Sequence, residues 1–230
     1  MDKPRTPLDR LLGLFAEVRG GEGLTALLLT ANVFLLLTSY YIMKPVREAL
    51  ILAAPNGPEL KSYMSAGQTL LLLLFVPAYA KLAERLPRRR LLNGVTLFFA
   101  ACLGVFWLLG TTTDIPLGVP FFLWIGIFSV SLIAQFWSFA NDLYTAEQGK
   151  RLFAILGFGA SAGAVFGATS VKGLIEPVGL MGSLLVAAAV LLLSLAFTNW
   201  VDRRSERPAD LATEAALEPE PRSDTNPYRL

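Results

Sequence analysis

Six runs of mostly apolar residues, each about 20 residues or longer, leave this chain few ways to fold. They extend from Gly23 to Leu52, Ser62 to Leu82, Leu91 to Gly110, Val119 to Asn141, Leu152 to Ile175 and Leu180 to Trp200. In hydrocarbon every backbone N–H and C=O must be satisfied within its own segment, and a helix of about 20 residues crosses the roughly 30 Å core. The expected fold is therefore all-α: a polytopic membrane protein of six transmembrane helices. The stretches between the runs, "APNGPELK", "AERLPRRR", "TTTDIPLG", "DLYTAEQGKR" and "EPVG", are short and rich in turn formers or charge. A mean hydropathy of +0.53, with 54% hydrophobic and 17% charged residues, exceeds the roughly 45–50% apolar share of soluble domains.

Charge orients the runs. Basic loops are retained in the cytoplasm. Lys3, Arg5, Arg10 and Arg19 precede the first run, and Lys81, Arg85, Arg88, Arg89 and Arg90 sit between the second and third. Lys150 and Arg151 divide the fourth from the fifth, and Arg203, Arg204 and Arg207 follow the sixth. The other side carries Lys44, Arg47, Lys61 and Lys172. Both termini are expected in the cytoplasm. Residues 1–21 read as a cytoplasmic N-terminal segment that lacks the apolar core and cleavage site of a signal peptide. Residues 22–200 form the six-helix transmembrane domain. Residues 201–230 have too few large apolar side chains for a core and read as a disordered cytoplasmic tail or interdomain linker.

Several functions are excluded by composition. A formal net charge of +2 is too small to suggest a nucleic-acid partner, and membrane lipid is the expected surrounding. The chain has no His and a single Cys, Cys102, inside an apolar run. It can form no intrachain disulfide, no His-based acid/base pair and no His or Cys metal cluster. No nucleophile stands beside a base, so neither an enzyme nor a cofactor is expected.

Two motifs have sufficient packing explanations. "GFGASAGAVFG" at 157–167 contains Gly157-x-Gly159, but a dinucleotide loop must follow a strand, and this segment lies within an apolar run. Gly159, Gly163 and Gly167 recur every fourth residue and form one flat helix face for close approach of another helix. Thr145-x-x-Gln148 fits a capping box at the start of the fifth run. Gln135 and Asn141 are amides in the inner half of a spanning helix, where an unpartnered polar side chain is costly, and such amides more often bind a neighbouring helix.

"YYIMKPVREALILAA", residues 40–54, holds charges with apolar residues on both sides. On a helix Tyr40, Lys44 and Arg47 share one stripe, and Lys44 and Glu48 form an i,i+4 pair. Lys44 lies roughly 33 Å along the axis from Glu22. In an upright helix it would snorkel to the outer interface; with tilt and a kink at Pro45, Lys44 and Arg47 would instead line an aqueous cavity. Both readings stand on physics alone.

"AKLAERLPRRRLL", 80–92, is either a plain stop-transfer loop or something more specific. It resembles the loop between the second and third helices of major facilitator transporters. Leu82, Glu84, Arg85, Arg88 and Arg89 match, while Ala80 and Pro87 replace glycines and Glu84 replaces the usual Asp. The resemblance implies a gating role for Glu84, Arg85, Arg88 and Arg89 at helix ends. "YYIMKPVREALIL" and "FWSFANDLYTAEQGKRLFAILGFGASAGAVFG" are similar, further, to the first helix and the fourth-to-fifth helix region of the ATP/ADP translocase family of nucleotide exchangers. This second resemblance implies one six-helix half of a major-facilitator-type bundle, in a bacterial inner membrane. It implies substrate-binding positions at Lys44, Arg47, Glu48, Tyr40 and Asn141, and a small anionic or phosphorylated solute such as a nucleotide, moved by alternating access. Two departures accompany it: Ile125 stands where those exchangers carry an acid, and "NPYRL" resembles the segment ahead of a seventh helix. A partner is therefore expected, either a second six-helix half or a second copy of this chain. The alternative is a non-transporting scaffold or partner-binding remnant of such a carrier.

Overall fold

In a computed structural model, residues 7, 13 and 16–217 are described, with side chains from Ala16 to Arg204. Lys3, Arg5 and Arg10, and the tail from residue 218 onward, lie outside the described residues. The described chain is helical nearly throughout: α1 Gly23–Leu52, α2 Gly57–Arg85, α3 Arg88–Thr112, α4 Gly118–Leu143 and α5 Ala146–Leu217. Five elements, not the expected six, are long and apolar enough to cross a membrane. The difference arises at "EPVG". The fifth and sixth runs join in one 72-residue element, interrupted only at Gly179, whose φ of 74° and ψ of 172° are non-helical.

Contacts with α1 show what happens there. Gly159, Gly163 and Gly167 lie against Thr30, Phe34 and Thr38, so both sequences ascend together and the first limb of α5 runs parallel to α1. Beyond Gly179 the order inverts, because Ser39 Oγ donates to the carbonyl of Ala187 (2.8 Å) and Asn32 Nδ2 to Thr198 Oγ1 (2.8 Å). The chain reverses direction on a single residue. That backbone conformation is open essentially to glycine alone, and a Cβ at 179 would meet no atom within 4 Å. Gly179→Ala should therefore cost about 1–3 kcal/mol through the backbone alone, read as a lowered melting temperature of the detergent-solubilised protein.

Two further boundaries differ from the sequence expectation. α2 begins at Gly57 instead of Ser62, with Pro58 in its first turn and Asn56 in a left-handed conformation (φ 56°) ahead of it; proline suits a helix start, where its missing N–H is no loss. The last helix runs beyond Trp200 to Leu217, through the usual stop signal of Pro208, on flanking Glu, Arg, Ala and Leu residues that favour helix.

α1 is the central post. Leu29, Val33, Leu36, Met43 and Val46 are buried against α4 and both limbs of α5. An aromatic ladder joins α3 to α4: Phe106 contacts Phe121 (4.9 Å between centroids) and Trp124 (5.3 Å), and Phe99 contacts Phe128 (5.2 Å). Lipid is as apolar as these side chains, so close packing and interhelical hydrogen bonds carry association. α2 stands apart. Its only buried residue is Gly57, and Tyr63, Leu70, Leu73 and Leu74 are all more than half exposed. Among its contacts with α4, Gln68 lies over Gly126 and Gln135 Nε2 donates to the Tyr79 hydroxyl.

Candidate functional site

Four of the five residues expected to bind substrate come together near the C-terminal end of α1. Pro45 lies inside this helix without ending it, so the charges remain on a continuous apolar element. Tyr40, Lys44, Arg47 and Glu48 are all half-buried. The Lys44 ammonium lies 4.0 Å from the centre of the Tyr41 ring and 4.8 Å from that of Tyr40, a cation–π arrangement that strengthens as water is removed.

The expected Lys44–Glu48 pair does not form. Glu48 instead accepts from Arg47 at 2.5 Å and from Lys61 at 2.6 Å. Arg47, adjacent in sequence, reaches the carboxylate while stacking 4.9 Å over Phe122; Lys61 extends from the second turn of α2. Lys44 is left facing aromatic rings, with no carboxylate in ion-pair range among the described residues. Three bases against one carboxylate leave a surplus of two positive charges on half-buried groups. Sequence reading placed Lys61 in a loop and missed it, and the early Pro58 helix start is the signal that would have put it on α2.

Asn141 is not part of this cluster. It is exposed at the far end of α4, some 23 residues and so roughly 35 Å from the end of α4 that touches Leu50 and Ile51. There it borders a cavity of about 480 Å³ with Tyr144, Thr145, Gly149, Lys150 and Phe153. Gln135 does bind a neighbouring helix, through Tyr79. Its Oε1 and the Oδ1 of Asn32 are buried without a hydrogen-bond partner, and both residues line a core cavity of about 20 Å³ with Thr96, Ser194 and Thr198. That is room for one water, which could donate to both oxygens.

The expected gating residues also divide. Arg88 bridges Asp142 (3.3 Å) and Asp202 (3.6 Å) while its guanidinium lies 4.5 Å over Phe139, and Arg89 approaches Asp202 at 3.8 Å. The start of α3 and the end of α4 are thereby tied to the second limb of α5. Glu84 and Arg85 are exposed and make no ion pair among the described residues. Asp202 was assigned to the tail from sequence; its place as the first acid after an apolar run, in "WVDRR", marks the end of the apolar part of the helix, which continues to Leu217.

A second cluster at the same end couples the entry of α1 to the start of α5. Thr145 and Gln148 form the expected capping box, with reciprocal bonds of 3.0 and 3.3 Å. Gln148 Nε2 also donates to Glu22 (3.0 Å), Arg151 pairs with Glu22 at 3.1 Å, and Arg19 pairs with Glu147 at 2.7 Å. Burial raises the affinity of the Glu22 carboxyl for a proton. The Arg151, Arg19 N–H and Gln148 hydrogen bonds and the Arg151 charge outweigh this and hold its pKa below the usual 4.5. Burial, helped by the Glu22 charge, pushes the Tyr144 phenol up. A depressed carboxyl pKa stabilises the fold above the unfolded value and is lost as pH falls through the folded one. Glu22→Gln should therefore melt below wild type near neutral pH, and the gap should close as pH drops below about 4.5. Thermal melts of both proteins from about pH 7 to pH 3 read this directly.

The family model of the Major Facilitator Superfamily matches residues 24–227. No curated protein and no solved structure matches the chain.

Proposed function

Because this chain belongs to the Major Facilitator Superfamily and is an integral membrane protein of the secondary-transporter class, we propose that it forms one six-crossing half of a carrier for an anionic solute. The two limbs of α5 supply the fifth and sixth crossings, which run in opposite directions from Gly179. The basic ends at Arg19, Arg85–Arg90 and Lys150–Arg151 face the cytoplasm, with both termini there. The membrane is a bacterial inner membrane.

The single observation that carries the substrate class is the uncompensated charge at Tyr40–Lys44–Arg47–Glu48–Lys61. Half-buried bases in excess of their carboxylate are costly in a membrane helix unless an anion completes them. Lys44, held on two aromatic faces, offers all three ammonium donors to a phosphate-like group. Arg47 offers a planar fork once Glu48 releases it. A phosphorylated solute such as a nucleotide fits this donor set, in keeping with the likeness to nucleotide exchangers. Ile125, where those exchangers carry an acid, is 1% exposed inside the apolar core, which favours an anion other than the ATP/ADP pair itself.

The open flank of α2 favours a second bundle, as the other half of one carrier or as a second copy related by a two-fold axis along the membrane normal. Proteoliposome uptake of labelled phosphorylated anions tests the reading. Saturable uptake, inhibited by unlabelled phosphate esters and unaffected by neutral sugars, is the expected result. Uptake of cations or neutral solutes with no competition by phosphate esters would overturn it.

A further inference from the structure

An apolar groove of about 330 Å³ runs between α2 and α3, on a floor of α4, and belongs to neither charged cluster. Phe75, Tyr79 and Leu82 form one wall and Gly94, Val95 and Phe98 the other. It extends along α2 from Phe75 to Leu86 at its end, about 17 Å at the helical rise, close to half of the roughly 30 Å hydrocarbon core and so to the depth of one leaflet. Its rim faces outward: Leu82 is 45% and Phe98 60% exposed.

The mouth is basic. Arg90 lines it, and Arg85 closes α2 one short turn away. Arg88 and Arg89 are engaged with Asp142 and Asp202, whereas Arg85 and Arg90 are exposed and make no ion pair among the described residues. A slot one leaflet deep with apolar walls, capped by two free guanidinium groups at headgroup level, is complementary to a molecule with an acyl chain below an anionic head.

We propose that this groove binds an anionic phospholipid of the leaflet at the basic end, its acyl chain between α2 and α3 and its phosphate on Arg85 and Arg90. Basic pockets between transmembrane helices at the cytoplasmic face hold anionic headgroups by the same electrostatics. An occupied groove supplies the packing that α2 otherwise lacks on this side, so the lipid braces α2 against α3 and α4.

The test is the melting temperature of the delipidated, detergent-solubilised chain with phosphatidylglycerol, phosphatidylcholine or glycerol 3-phosphate added. Phosphatidylglycerol should raise it by about 5 °C at saturation, phosphatidylcholine by much less, and glycerol 3-phosphate not at all. Two variants report separately. Gly94→Leu fills the slot, where a Cβ meets nothing within 4 Å, and Arg85→Gln/Arg90→Gln removes the head contacts from an exposed surface. Each should melt near wild type without lipid and lose the phosphatidylglycerol shift. Equal shifts from both lipids, a shift reproduced by glycerol 3-phosphate, or a shift that survives Gly94→Leu would each overturn the proposal. So would a shift that follows protein concentration in place of lipid, which would put a second copy in the groove.

Discussion

Gly163→Leu is expected to yield no folded protein. A Cβ at 163 would fall 2.3 Å from the Phe34 carbonyl oxygen and 2.8 Å from its Cα. These are backbone atoms of a packed helix and cannot swing aside as a side chain would. The flanking glycines lie equally tight, with Gly159 at 2.5 Å from Thr30 Cγ2 and Gly167 at 2.6 Å from the Thr38 carbonyl oxygen. The whole length of contact between α1 and the first limb of α5 depends on the absence of side chains along this stripe. Thr38 Oγ1 donates to the Gly163 carbonyl at 3.2 Å in a buried setting, a bond that separation of the helices would also break. Ordinary overpacking costs about 1–3 kcal/mol, and Gly163→Ala should fall in that range. Leucine adds three more heavy atoms against rigid backbone and should exceed it. Gly157→Leu is the control, since a Cβ there meets nothing within 4 Å. Size-exclusion profiles and thermal melts in mild detergent should show Gly157→Leu as wild type and Gly163→Leu as aggregate. A monodisperse Gly163→Leu with a wild-type melt would disprove the packing assignment.

That stripe was readable in the sequence because it is periodic and local: three glycines four apart can only share one helix face. The same holds for the Thr145–Gln148 capping box, whose partners lie three residues apart, and for the apolar runs, whose length alone forces helices in hydrocarbon. What sequence could not resolve were choices among competing partners. Glu48 has Lys44 one turn away, yet it binds Arg47 and Lys61, because Lys44 is captured by Tyr40 and Tyr41 and because α2 happens to present Lys61 alongside. The helical spacing allows the first without choosing it over the Glu48 pair, and the second depends on how two helices pack. Asp202 stands 114 residues after Arg88 in the chain, so only the antiparallel second limb of α5 reveals that they meet. Asn141 carried the right chemistry at the wrong depth. The reversal at Gly179 was legible as a position, since "EPVG" separates the fifth and sixth runs; what the pattern did not show is that a single non-helical residue makes the turn.

Removing the charge at Lys44 should reduce anion transport by about tenfold to a hundredfold, the equivalent of one charge-assisted hydrogen bond of about 1.5–3 kcal/mol. The loss should appear in KM, because Lys44 has no carboxylate to release among the described residues and so acts on the ground-state anion. Lys44→Ala tests this, and Lys44→Arg should recover part of the activity by restoring charge over the Tyr40 and Tyr41 rings. Arg47 is expected to behave differently. It is pinned by Glu48 at 2.5 Å and stacked on Phe122, so its engagement with substrate requires the carboxylate to exchange one partner for another. Arg47→Ala should abolish measurable transport while leaving the fold intact, since Lys61 still neutralises Glu48 at 2.6 Å. Glu48→Gln frees Arg47 and Lys61 together. It should tighten anion binding while slowing turnover, because the competing carboxylate that helps release the solute is gone. Uptake rates across substrate concentration, with a thermal melt of each variant, separate these effects. If Arg47→Ala transports at the wild-type rate, or if Lys44→Ala and Lys44→Arg are indistinguishable from wild type in KM, the cluster is an interfacial anchor and the anion site lies elsewhere in the bundle.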